Sequence, residues 1–112
     1  MGKIELNKEP SFKKNGFAGY TYPLSTKMQI NFIDCWDKHD NYFIYGKTFV
    51  YYIVEGRGKF KIGDKLLDVT TGDMIEVPAN TETTYKGLMK LLLIIQDGFE
   101  RELDTPTKPT DI

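Results

Sequence analysis

The feature that most constrains this chain is the stretch of residues 48–85, which alternates short apolar runs with glycine-centred breaks. Residues 49–54 form an apolar run that leads into Glu55-Gly56-Arg57-Gly58. Lys59-Phe60-Lys61-Ile62 then alternates polar and apolar, the period of a strand with one wet face. Gly63-Asp64 falls where a two-residue hairpin turn belongs, because glycine reaches the positive φ such turns need. Residues 65–69 return, Gly72-Asp73 makes a second break, and residues 74–77 read as another short strand. Pro78 stops it, since proline has no N–H to give a ladder. Short strands at this spacing predict an all-β sandwich or barrel. Gly56 and Gly58 read as turn residues within it.

The flanking sequence extends the pattern. Residues 27–36 predict a strand with Met28, Ile30, Phe32, Asp34 and Trp36 on one face. Gln29, Asn31, Ile33 and Cys35 share the other face. Neither face is wholly apolar, which makes this strand a candidate pocket wall. Residues 17–22 read as a short strand inside an N-terminal arm, residues 1–23. That arm either closes an edge of its own sandwich or is swapped onto a second subunit. Residues 87–95 predict a final strand, with the apolar run 91–95 consistent with burial on both faces. Residues 104–112 read as a flexible tail, so the barrel is placed at 24–103.

A chain of 112 residues suffices for one domain with one core. A net charge of −1 exerts no long-range pull on a phosphate backbone, so no nucleic-acid partner is expected. No apolar run is long enough to span a bilayer and the N-terminus lacks an apolar signal region, so no membrane partner is expected either. A single cysteine forbids an internal disulfide and suits a reducing, cytoplasmic setting. Seven Tyr, seven Phe and one Trp favour β structure or an aromatic-lined pocket.

Val54-Glu55-Gly56-Arg57-Gly58, followed by Gly72-Asp73 and then Pro78-Ala79, resembles the core of a small cupin, a double-stranded β-helix or jelly-roll barrel. The resemblance covers about residues 28–99 and implies the fold more than the chemistry, because function lives in the site. It also implies where a cupin metal would be held. The usual glutamate position falls on Phe49, the first two histidines fall on or next to Phe43 and Tyr45, and the third falls on Thr83. Asn80 stands at the usual glycine two residues after Pro78. A first-row metal wants imidazole, carboxylate or thiolate donors, which these residues do not supply. The expectation is a cupin with no metal and no other cofactor at the usual site. Small cupins pair, which implies a homodimer.

In the cupin register Phe43, Tyr45, Phe49, Tyr51 and Ile53 point inward, joined by Thr83 and Tyr85. These rings either fill the barrel themselves or line a cavity with sparse polar groups, the usual make-up of a ligand site. Three tyrosines sealed inside would each need a hydrogen-bond partner, which favours the cavity. Phe43, Tyr45, Phe49, Tyr51, Asn80, Thr83 and Tyr85 are therefore the expected contacts of a small organic ligand, a sugar derivative or a planar acid. The alternative is a metal-independent sugar or sugar-nucleotide isomerase or epimerase. Its candidate catalytic residues are His39, the only histidine, and Tyr45. His39 sits in the polar loop 37–41, where the plain reading is a solvated side chain and the functional one is a group at the barrel mouth. A third reading rebuilds a metal site from Asp34, Cys35, Asp37 and His39. Cys35 itself is expected to be a buried, inert thiol.

Overall fold

A computed structural model describes residues 2–112. Nine strands are described: β1 (Phe12–Lys13), β2 (Phe17–Tyr22), β3 (Gln29–Cys35), β4 (Asn41–Tyr45), β5 (Phe49–Ile62), β6 (Lys65–Thr70), β7 (Met74–Val77), β8 (Thr83–Ile95) and β9 (Asp104–Pro109). One 3-10 turn, Arg101–Leu103, precedes β9. All pairings are antiparallel, and the sheet curls in the order β1-β2-β3-β8-β4-β9. β5 leaves that path to pair with β6, β7 and β8. This is the all-β barrel that the strand spacing predicted, in the cupin-type jelly-roll form that the resemblance implied. No helix among the described residues is long and apolar enough to cross a membrane.

The long pair β5 and β8 is the spine of the barrel. Its register runs from Val50 opposite Ile94 to Ile62 opposite Thr83, with one irregularity between Ile53 and Glu55. That irregularity is a bulge, and it decides which residues reach the core. Before it, the odd-numbered Phe49, Tyr51 and Ile53 are buried; beyond it, the even-numbered Phe60 is buried instead. A one-residue slip changes the face of every later side chain. Gly56, at φ +99, makes the bulge possible, because a Cβ there would overlap the carbonyl oxygen of Leu88. Gly56 and Gly58 therefore do not end a strand, as the turn reading expected. They let one 14-residue strand bend.

The hairpin at Gly63-Asp64 is as expected: Ile62 pairs with Lys65, and Gly63 takes φ +57. β8 begins at Thr83 rather than at 87. Its apolar run is not buried on both faces. Leu91, Leu93 and Ile95 enter the core, whereas Leu92 and Ile94 lie on the outer face, half-buried. They are apolar because they sit in cross-strand rows: Tyr20, Phe32, Leu92, Tyr52 and Met74 are successive register partners across five strands.

Segments near both ends of the described chain belong to the sheet. The N-terminal segment supplies β2, which pairs with β3 of the same chain and buries Phe17 and Ala18. Residues 104–109, expected to be a flexible tail, form β9 against β4, with Ile44 opposite Thr105 and Tyr45 opposite Asp104. The prolines are accommodated because β9 is the outermost strand and needs no N–H on its free side. Beyond it, the Thr110 hydroxyl lies 2.6 Å from that of Thr84, and the Tyr42 hydroxyl donates to the Asp111 carboxylate. Tyr42 is thereby buried on the outside of the barrel, with the ammonium groups of Lys108 and Lys61 4.8 and 5.6 Å from its ring centre.

Candidate functional site

Alternation along β4, β5 and β8 sends Phe43, Phe49, Tyr51 and Tyr85 into the barrel. They do not fill it. A cavity of about 630 Å³ remains, within the range of small-molecule sites. Its wall also takes Phe17 from β2, Asn31 and Ile33 from β3, Leu93 from β8, and Phe99, Arg101, Asp104 and Pro106 from the C-terminal segment. A more open groove of about 660 Å³ lies elsewhere, against Trp36, Arg57, Asp68 and Leu88. It gathers no buried titratable group.

His39 is part of the cavity wall. Its loop is held by backbone bonds: His39 N–H donates to the Tyr85 carbonyl at 2.9 Å, and Gly87 N–H donates to the Asp37 carbonyl at 2.8 Å. The imidazole stacks on Phe17 with centroids 4.4 Å apart, tilts against Phe43 at 4.8 Å and meets Tyr85 edge to face at 5.3 Å. Only about 20% of the side chain is exposed. Burial among these rings lowers its pKa to about 4, against the opposing pull of the Asp40 carboxylate and a backbone contact at Asn41. The ring is thus neutral near pH 7. Nδ1 lies 2.7 Å from the Asn41 carbonyl oxygen, which only accepts, and 3.3 Å from the Asn41 N–H, which only donates; the shorter contact places the proton on Nδ1. Nε2 keeps its lone pair and has no protein partner, yet no buried nitrogen or oxygen in the described residues is left unsatisfied. Nε2 is therefore not sealed, and the ring that carries it is part of the cavity wall.

The same reasoning places two phenols there. Tyr51 and Tyr85 are 2% and 1% exposed, their rings 5.7 Å apart. Neither hydroxyl bonds to protein, and neither is sealed from the cavity. Burial raises both pKa values well above the ordinary phenol range, with a further push on Tyr51 from Asp104. Both remain protonated and can donate. The site thus holds one neutral imidazole nitrogen as acceptor and two phenols as donors, walled by aromatic rings.

Of the residues expected at a ligand, Phe43, Phe49, Tyr51 and Tyr85 share this cavity, and Tyr45, Asn80 and Thr83 do not. Tyr45 stacks on Phe49 at 4.3 Å and Phe99 at 5.5 Å, and its hydroxyl accepts the Glu100 N–H at 2.8 Å. It anchors the C-terminal segment. Asn80 is an exposed turn residue at φ +59. Thr83 is fully buried, its hydroxyl donating to the Thr81 carbonyl at 3.1 Å. His39 joins the cavity because its loop folds over the end of β8, a contact with no trace in local sequence. The set Asp34, Cys35, Asp37 and His39 does not converge: no group of three or more such side chains among the described residues could hold a metal. Burial raises the Cys35 thiol to about 11.

Fold and cavity together define a cupin-fold barrel with an aromatic internal site. No protein-family model matches the chain, and no curated protein matches it in sequence. Solved structures do match. The chain is similar to PAC13, a nucleoside dehydratase, at 22% identity and TM-score 0.82 over 96% of this chain and 88% of that one. A tyrosine-to-phenylalanine variant of Streptomyces PAC13 with uridine matches at 22% identity and TM-score 0.85 over 99% and 95%. Further PAC13 structures with uridine carry a histidine-to-glutamine or a tyrosine-to-phenylalanine change. KdgF from Halomonas sp. matches at 11% identity and TM-score 0.75 over 92% and 100%. A cupin superfamily protein from Desulfitobacterium hafniense matches at 21% identity and TM-score 0.64 over 77% and 82%. The chain has the cupin fold.

Proposed function

We propose that this chain binds a nucleoside in its aromatic cavity and eliminates water from the sugar, with His39 as the proton carrier and Tyr51 and Tyr85 as hydrogen-bond donors. The observation that carries the reading is a neutral imidazole with an unpartnered Nε2 in the wall of the same cavity as two unpartnered phenols. Elimination of water breaks a C–H and a C–O bond on adjacent carbons and forms a C=C bond. Nε2 takes the carbon-bound proton, and the departing hydroxyl, held by hydrogen bonds from the phenols, takes that proton back from the imidazolium to leave as water, which returns the imidazole to its neutral form. The Asp40 carboxylate, 3.4 Å from Nδ1, stabilises the transient imidazolium. Flat rings such as Phe17, Phe43 and Phe49 suit a planar base. The uridine held by PAC13, and the histidine and tyrosines altered in those structures, support this choice of ligand and of residues.

The chemistry is proposed to need no metal at the cupin position, because Phe43, Tyr45, Phe49 and Thr83 stand where its ligands would be. The decisive experiment is incubation with a panel of nucleosides and oxidised nucleosides, followed by mass spectrometry for loss of one water. Turnover in the wild type that disappears in His39→Gln supports the proposal. Tight nucleoside binding with no turnover by the wild type would leave the second reading, a binding protein for a sugar derivative, which the apolar wall favours.

A further inference from the structure

Asn31 is a polar residue with only 5% exposure that lines the cavity, and no step above uses it. Its orientation follows from groups that can only donate. The backbone N–H of Phe99 lies 2.9 Å from the Gln29 side-chain oxygen, which fixes that oxygen toward Phe99. The other end of the Gln29 amide, Nε2, then donates to Asn31 Oδ1 at 3.4 Å. The Thr21 hydroxyl donates to the same oxygen at 3.0 Å and receives its own bond from Ser11 at 2.5 Å. Asn31 Oδ1 is thus saturated. Nδ2 holds two N–H groups, has no protein acceptor and is not sealed from the cavity. An amide locked in this way presents donors only.

The position along the barrel says which part of a ligand it meets. Phe17, on which the imidazole stacks, pairs with Cys35, while Asn31 pairs with Thr21. Four residues of strand separate the two levels, about 13 Å at the usual rise. A nucleoside whose sugar lies at His39 points the far edge of its base at Asn31. We infer that Asn31 is a specificity residue that donates to a carbonyl on the distal edge of the base, selecting a uracil-type 4-carbonyl over the 4-amino group of cytosine. Thr21 and Gln29 are positioning residues that keep the amide from flipping. The inference rests on the nucleoside reading of this cavity.

The test is calorimetric titration of wild type, Asn31→Asp and Thr21→Val with uridine and with cytidine, ligands that differ at the 4-substituent and at the adjacent N3, both on that distal edge. The wild type is expected to prefer uridine roughly tenfold, since an unmatched buried donor is costly. Asn31→Asp keeps the acceptor for Thr21 and Gln29 but turns an acceptor to the cavity, so the preference inverts. Thr21→Val frees the amide, so the preference shrinks. It decides the matter if Asn31→Asp does not fold. Equal binding of the two nucleosides by the wild type, or an unchanged preference in the variant, overturns the inference and leaves the nucleoside site standing. Binding of neither by the wild type overturns both.

Discussion

The backbone N–H of His39 donates to the carbonyl of Tyr85, and their side chains meet edge to face 5.3 Å apart. A loop residue and a mid-sheet residue are thereby fixed to one another through the main chain. The imidazole is placed by rigid structure and not by its own rotamer alone. Exchanging its chemistry is therefore expected to leave its surroundings in place. In His39→Gln, dehydration should fall by roughly a hundredfold or more, the usual worth of a proton-transfer group, with the thermal melt little changed.

Stability should depend on pH through this ring. Its pKa is about 4 when folded and 6.5 when free, so between these values the unfolded chain binds more protons. Stability is full above about pH 6.5 and declines as pH falls toward 4, by roughly 3 kcal/mol at most. Denaturant melts of the wild type at pH 7.5 and 4.5 should show this loss, and His39→Gln should show less of it. An equal loss in both would mean that other groups set the acid limit.

The three inward tyrosines should separate by stability. Tyr45→Phe removes the acceptor of the Glu100 N–H and should cost about 1 kcal/mol. Tyr51→Phe and Tyr85→Phe remove hydroxyls with no protein partner and should be neutral within about 0.5 kcal/mol. Any loss they show should be in turnover. Chemical denaturation of the three variants side by side checks the ordering.

Gly56→Ala should be strongly destabilising. The residue sits at φ +99, and a Cβ would collide with the Leu88 carbonyl across the β5–β8 pair. Positive φ and collision together should cost roughly 2 kcal/mol or more. Gly72→Ala, at φ +92 but with open space around it, should cost less. A smaller loss at Gly56 than at Gly72 would show that the bulge can be rebuilt.

Removing residues 104–112 should do more than trim an end. It strips β9 from β4, takes Asp111 from Tyr42 and uncovers a ring that is now 1% exposed. A loss of roughly 2 kcal/mol or more is expected from the Tyr42 surface alone. Because Asp104 and Pro106 leave the cavity wall, nucleoside affinity should fall as well. Thermal melts and titration of the shortened chain test the two effects separately.

These results mark what the sequence could and could not reveal. Period-two alternation and the Gly63 and Gly72 breaks placed β6 and β7 because those signals are local. Gly56 and Gly58 looked like a turn, since sequence alone does not separate a glycine that reverses the chain from one that lets two backbones approach. Pro106 and Pro109 looked like a tail, because proline excludes a central strand and only topology shows that an edge was vacant. At the site, Phe43, Phe49, Tyr51 and Tyr85 followed from strand alternation within the cupin register. Asn31 sat on a strand face noted for being incompletely apolar, a signal that was present. His39 had no such signal, because the rings that bury it come from β2, β4 and β8.

The cavity wall draws on residues 11–17 and residues 99–106, nearly the two ends of the chain. A molecule held there touches both, and is bound only while both are in place. Its binding energy is therefore added to the free energy needed to peel either end from the barrel. Amide protons of β2 and β9 should slow their exchange when the site is filled, so occupancy would be reported from both sides of the sheet as well as by the residues that do the chemistry.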